Sequence, residues 1–62
     1  MTFLSYRILP MQDLGEHCEE CMPRHADFWG LYGIDKNDDA YAIGDFSTKS
    51  DAEFIRDAIN TS

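Results

Sequence analysis

Positive charge is what this sequence has least of. Lysine and arginine supply five of its 62 residues, against twelve aspartates and glutamates, for a formal charge of −7. Nucleic-acid affinity rests largely on cations that neutralise phosphates, so direct binding to DNA or RNA is disfavoured, and an anionic membrane surface repels the chain for the same reason. A basic protein surface attracts it, fastest at low salt. Long apolar runs are also missing: nowhere do eighteen apolar residues follow one another, and Met1-Thr2-Phe3-Leu4-Ser5-Tyr6-Arg7 lacks the basic start and apolar stretch of a secretion leader. A cytoplasmic location is expected, and with it reduced rather than bridged Cys18 and Cys21. The four glycines are scattered, so there is no glycine-rich phosphate loop.

Shortness excludes more. Sixty-two residues make one domain, 1–62. A chain of this size buries only about 60% of its unfolded surface, so its core is marginal and a homodimer is one way to complete it. A concave pocket of roughly 300 Å³ or more hardly fits. With twelve carboxylates, accidental acid pairs are unavoidable and point to no hydrolytic site. Enzyme is the least favoured class, and no cofactor is expected.

What is present is aromatic and apolar enough to fold: Phe3, Tyr6, Phe28, Trp29, Tyr32, Tyr41, Phe46 and Phe54 sit in a chain that is 44% hydrophobic. Residues 2–8 alternate as a strand closed by Pro10. From Met11 to Met22 the apolar residues Met11, Leu14, Cys18, Cys21 and Met22 recur at three and four, which predicts a helix with Asp13, Glu16, Glu19 and Glu20 on its wet side. Gly15 weakens that helix by roughly 1 kcal/mol relative to alanine. Two further strands are expected over 25–32 and 41–46, joined by Asp35-Lys36-Asn37-Asp38-Asp39 as a hairpin loop. Period two places Phe28, Gly30 and Tyr32 on one face and Trp29 and Leu31 on the other. A last helix begins at the N-cap Thr48, with Asp51 in its first turn, and buries Ala52, Ile55, Ala58 and Ile59 with Phe54 at the edge. The expected fold is α+β, ordered strand, helix, strand, strand, helix, with a small mainly antiparallel sheet and helix packed on one face.

One local pattern suggests a metal. In His17-Cys18-Glu19-Glu20-Cys21-Met22-Pro23-Arg24-His25, a helix would bring His17, Cys18 and Cys21 to one side and leave His25 as a fourth ligand for tetrahedral zinc. Structural zinc sites, however, usually draw ligands from two separated elements, and the plainer reading makes the cysteines small apolar core residues. A redox dithiol fits less well still, because glutamates and a helix C-terminus raise thiol pKa values.

The acids are the remaining feature. Glu16, Glu19 and Glu20 belong to the first helix in this reading, Asp35, Asp38 and Asp39 to the loop, and Asp51, Glu53 and Asp57 to the last helix. They serve solubility at least. As function, they present carboxylates where a basic nucleic-acid-binding groove expects phosphates, with Trp29 or Tyr32 as an aromatic anchor.

The runs Phe28-Trp29-Gly30-Leu31-Tyr32-Gly33, Ala42-Ile43-Gly44-Asp45-Phe46 and Thr48-Lys49-Ser50-Asp51-Ala52-Glu53-Phe54-Ile55 together resemble short phage and prophage proteins with an aromatic strand, an acidic hairpin and a final helix. The likeness covers about residues 26–60 and implies a fold and a phage origin, with no functional residue. In size and charge the chain is similar to the anti-CRISPR inhibitors, and this resemblance implies a protein that binds the basic DNA site of a CRISPR effector complex as a DNA mimic. The other expectations are the zinc-stabilised interaction module through His17, Cys18, Cys21 and His25, and a dimeric phage accessory protein joined through the aromatic face of strand 25–32.

Overall fold

The computed structural model describes residues 3–61. Four strands, β1 (Ser5–Asp13), β2 (Cys18–Glu20), β3 (Phe28–Ile34) and β4 (Ala40–Phe46), form one antiparallel sheet in the order β2-β1-β3-β4, followed by a single helix, α1 (Lys49–Asn60). The class is α+β as expected, but the order is strand, strand, strand, strand, helix. Thr2, the expected first residue of β1, lies outside the described residues.

The helix expected over 11–22 is not formed. β1 runs through Pro10 to Asp13, turns, and returns as β2 with Met11 opposite Glu20 and Asp13 opposite Cys18. The turn has its own chemistry. Asp13 Oδ1 accepts the Gly15 N–H at 2.9 Å, the Leu14 N–H donates to the His17 carbonyl at 2.9 Å, and Gly15 has φ +94°, a conformation that favours glycine. Gly15 therefore makes a turn rather than weakening a helix. Pro10 survives inside a central strand because of where it falls. Its carbonyl accepts the Cys21 N–H at 3.0 Å just where β2 has ended, so its missing N–H points toward a neighbour that is already leaving and costs no ladder bond.

From Cys21 the chain crosses β1 to reach β3, through a 3-10 turn at Pro23–His25 that lies against β1. The crossing is pinned by the Asp27 N–H, which donates to the Met11 carbonyl at 2.8 Å, and Met11 is buried there. β1 and β3 then pair from Met11↔Phe28 to Ser5↔Ile34. β3 pairs with β4 through a bulge at Ile43, since Leu31 faces Gly44 while Tyr32 faces Ala42. The extra residue changes the parity of β4, so Tyr41 and Phe46, an odd number of residues apart, share one face.

That face is the one α1 covers. Alternation puts Tyr6, Ile8, Trp29, Leu31, Gly33, Tyr41 and Phe46 on it. Thr48 caps the helix as expected, its Oγ1 accepting the Asp51 N–H at 3.1 Å. Lys49 Nζ lies 5.8 Å from the Trp29 ring centroid, and Ala52 and Leu31 are both 0% exposed. Ile55 is half-buried, but Ala58 and Ile59 are exposed, and Phe54 lies 72% exposed on the outer side rather than at the core's edge. The shortest dimension of the Cα trace is 16 Å, enough for a sheet and one layer of helix and no third layer.

Beyond the helix, the same face is closed by an aromatic group. Phe3 packs edge-on to Tyr6, with centroids 5.9 Å apart, and lies 6.1 Å from Tyr41, with its ring against Gly33 where a Cβ would otherwise stand. Gly33→Ala must expel that ring, so the substitution is expected to destabilise by about 1–3 kcal/mol in urea unfolding. In a Phe3→Ala background the same change should cost much less, and an equal cost in both backgrounds removes Phe3 as the cause.

Candidate protein-interaction face

The second face of the sheet carries Ser5, Arg7, Leu9, Met11 and Asp13 from β1, Phe28, Gly30, Tyr32 and Ile34 from β3, and Ala40, Ala42 and Asp45 from β4, with Cys18 and Glu20 from β2. No helix covers it. Its centre is the row Leu9–Gly30–Asp45. Gly30 is what lets the middle lie low: a Cβ there would sit 2.8 Å from Cε2 of Tyr32, whose ring leans over the glycine. The Tyr32 hydroxyl reaches to 4.0 Å from the Met11 sulfur. Leu9, Phe28 and Tyr32 are half-buried and form a flat apolar strip along the sheet.

Carboxylates surround one end of this strip. The Asp13 N–H donates to Asp27 Oδ2 at 2.9 Å, which ties the β1 end to the start of β3. Desolvation, then the charges of Asp13, Asp45 and Asp27, raise the Cys18 thiol above its ordinary range; desolvation, then Asp27, Glu20 and Glu19, do the same to Cys21. The direction is the one expected from the sequence, but its causes are desolvation first and then nearby carboxylates, not a helix terminus. Raised thiols are poor nucleophiles at neutral pH.

The other acidic group is the β3–β4 loop. Asp35 Oδ1 accepts the N–H groups of Asn37 at 2.9 Å and Asp39 at 3.0 Å, and its backbone exchanges bonds with Asp38 and Asp39. The Asp39 N–H, helped by that of Asn37 and by the Tyr41 hydroxyl, lowers the Asp35 pKa against an opposing desolvation. Asp38 has φ +66°, a left-handed turn position that aspartate tolerates. Asp35 is thus a structural acid, while Asp38 and Asp39 are exposed.

The acids named from the sequence do not form one face. Glu16 lies in the β1–β2 turn; Glu19 and Glu20 are neighbours on β2 and point to opposite sides of the sheet, Glu20 toward the open one. Asp35, Asp38 and Asp39 lie at the far end of the strands, roughly 25 Å away by the rise of β1 from Ser5 to Asp13. Trp29 is half-buried on the helix side beneath Lys49, whereas Tyr32 belongs to the open face. The helical spacing that would gather His17, Cys18 and Cys21 does not exist, and His25 ends the 3-10 turn; among the described residues no three His, Cys, Asp or Glu side chains are grouped to hold a metal. Asp45 is the residue that sequence reasoning missed. The bulge at Ile43 hides its side from a period-two reading.

Among the described residues no helix is long and apolar enough to cross a membrane. No protein-family model, curated protein or solved structure matches the chain.

The Asp35 turn has a pH signature. Its folded pKa is depressed, so its contribution is present above the ordinary carboxylate range and lost as pH falls through the folded value. Asp35→Asn should lower the melting temperature at pH 7, and the gap from the natural chain should shrink below about pH 4. A gap that stays constant from neutral to acid pH would show that the charge of Asp35 plays no part.

Proposed function

We propose that this protein is a stoichiometric, non-catalytic inhibitor that occupies a basic nucleic-acid-binding surface of a host defence complex, as phage inhibitors of CRISPR effectors do. One observation carries the reading: the negative charge is not neutralised internally. Among the described residues only two ion pairs occur, His17–Glu19 at 3.7 Å and Arg56–Asp57 at 3.0 Å, and both are exposed. Apart from Asp13, Asp27 and Asp35, whose carboxylates hold turns, the acids Glu16, Glu19 and Glu20 are exposed to a partner toward one end of the sheet, and Asp38 and Asp39 at the other. The separation of roughly 25 Å between the β1–β2 turn and the β3–β4 loop lies within one duplex turn of about 34 Å, so both groups can engage one DNA-binding groove.

The work asked of these residues is electrostatic. Charges of one sign raise the encounter rate with a basic groove, and carboxylates that meet its lysines and arginines occupy the positions phosphates would take. No covalent step is involved, so inhibition should require one copy per site and be relieved by competing DNA or by salt.

The test is an interference assay in cells with active CRISPR immunity, challenged by a targeted phage. Expression of the chain should restore plaques. Joint reversal of Glu16, Glu19 and Glu20, with Asp38 and Asp39, to lysine should abolish that protection while the purified variant keeps its circular dichroism spectrum. Asp35 is left intact because it holds the loop. A folded, charge-reversed variant that protects as well as the natural chain removes the decoy reading.

A further inference from the structure

The open face combines an aromatic plane with carboxylates that have no partner. Tyr32 leans over Gly30, and Asp45 stands directly across the ladder from that glycine, where same-face neighbours lie about 5 Å apart. The carboxylates of Asp45 and Glu20 are exposed and make no hydrogen bond or ion pair among the described residues. Asp13 and Asp27 hold the adjoining corner. Against these, the face carries one cation, Arg7, on the same row as Tyr32.

We propose that this face docks an arginine-bearing segment of a protein partner, with one guanidinium stacked on Tyr32 and its N–H edge turned toward Asp45. This inference rests on the reading of the chain as a binder of basic surfaces, and names the contact. A guanidinium is planar, keeps its charge at any physiological pH and offers its donors around the rim. It can therefore lie on an aromatic ring and bond a neighbouring carboxylate at once. A lysine ammonium is a point charge that can pair with Asp45 but has no plane to stack. Glu20 and Asp13 lie further along the face, where a second cation of the same segment would meet them, and Leu9 and Phe28 receive the methylenes of its side chains. A second copy of this chain is the wrong occupant on charge: it would bring Asp13, Glu20 and Asp45 against their own kind with only Arg7 to offset them.

The test uses the full chain, labelled with ¹⁵N, and two probes of equal length, an acetylated peptide of alternating arginine and glycine and its lysine counterpart. The arginine peptide should bind about two- to fivefold more tightly, the range of an exposed cation–π contact, and should shift the amide signals of Gly30, Tyr32 and Asp45. Tyr32→Leu should erase the preference and Tyr32→Phe should keep it, while Asp45→Asn weakens both peptides. Equal affinities, shifts centred on Asp38 and Asp39, or no binding of either peptide overturns the proposal. So does a sedimentation result showing a dimer that Tyr32→Leu dissociates. Each of these leaves the decoy reading to its own plaque assay, whereas intact arginine preference in a chain that never protects cells counts against the decoy reading alone.

Discussion

The pairing of β1 with β3 is the constraint on which the rest depends. These are the two central strands, and their register, Met11 on Phe28 through Ser5 on Ile34, decides the side of every residue they carry. A slip of β1 by one residue would turn Ile8 to water and Arg7 toward the helix while Leu31 stayed beneath it. Three local features hold the register. Pro10 fits only where β2 has ended, the Asp27 N–H fixes the start of β3 to Met11, and Gly33 alone leaves room for the Phe3 ring. Each is weak in isolation. Together they select one pairing for a sheet whose fully buried side chains are few.

The thin core explains why one face stays open. A single amphipathic helix can cover one side of a four-stranded sheet, and α1 does this with Ala52 and Leu31 both fully buried, while Lys49 closes the Trp29 edge. Among the described residues there is no second α-helix to lay on the other face. The Tyr32 ring instead leans over Gly30 toward Met11, an internal cover that shields backbone without adding an element. The same arrangement leaves an aromatic surface outward.

The second half of the chain was readable because its signals are local. The Asp35–Asp39 segment between two apolar runs marks a hairpin, and Thr48 three residues before Asp51 marks a cap; both need only neighbours to act, and both are found. The first half misleads because Met11, Leu14, Cys18 and Cys21 fit a helical stripe over a length at which isolated helices are marginal, while partners distant in sequence decide the outcome. Asp13-Leu14-Gly15 was the readable counter-signal, an Asx turn of the kind that Asp35 also makes. Of the candidate site, the charge and Tyr32 were legible and the grouping of the acids was not. Grouping depends on the turn at Gly15, which separates Glu16 from the loop acids, and on the bulge at Ile43, which brings Asp45 to the open face.

On the proposed reading, the distance between the acids of the β1–β2 turn and those of the β3–β4 loop would give them separate roles. At roughly 25 Å they lie well beyond the Debye length of about 8 Å at physiological salt, so neither perturbs the other appreciably. Long-range attraction from both would set the rate of encounter with a basic partner and is the part that salt would remove first. What would hold such a complex together must be shorter in range and partly desolvated, and here the open face differs from both end groups. The loop offers Asp38 and Asp39 on an exposed tip, a geometry suited to steering. The open face sets Asp45 and Glu20 beside Tyr32, Phe28 and Leu9, where a bound cation loses water and its attraction is less screened. Dissociation should therefore be governed by the sheet and association by the whole charge, which is why net charge alone, however large, is a poor guide to where on this molecule a partner sits.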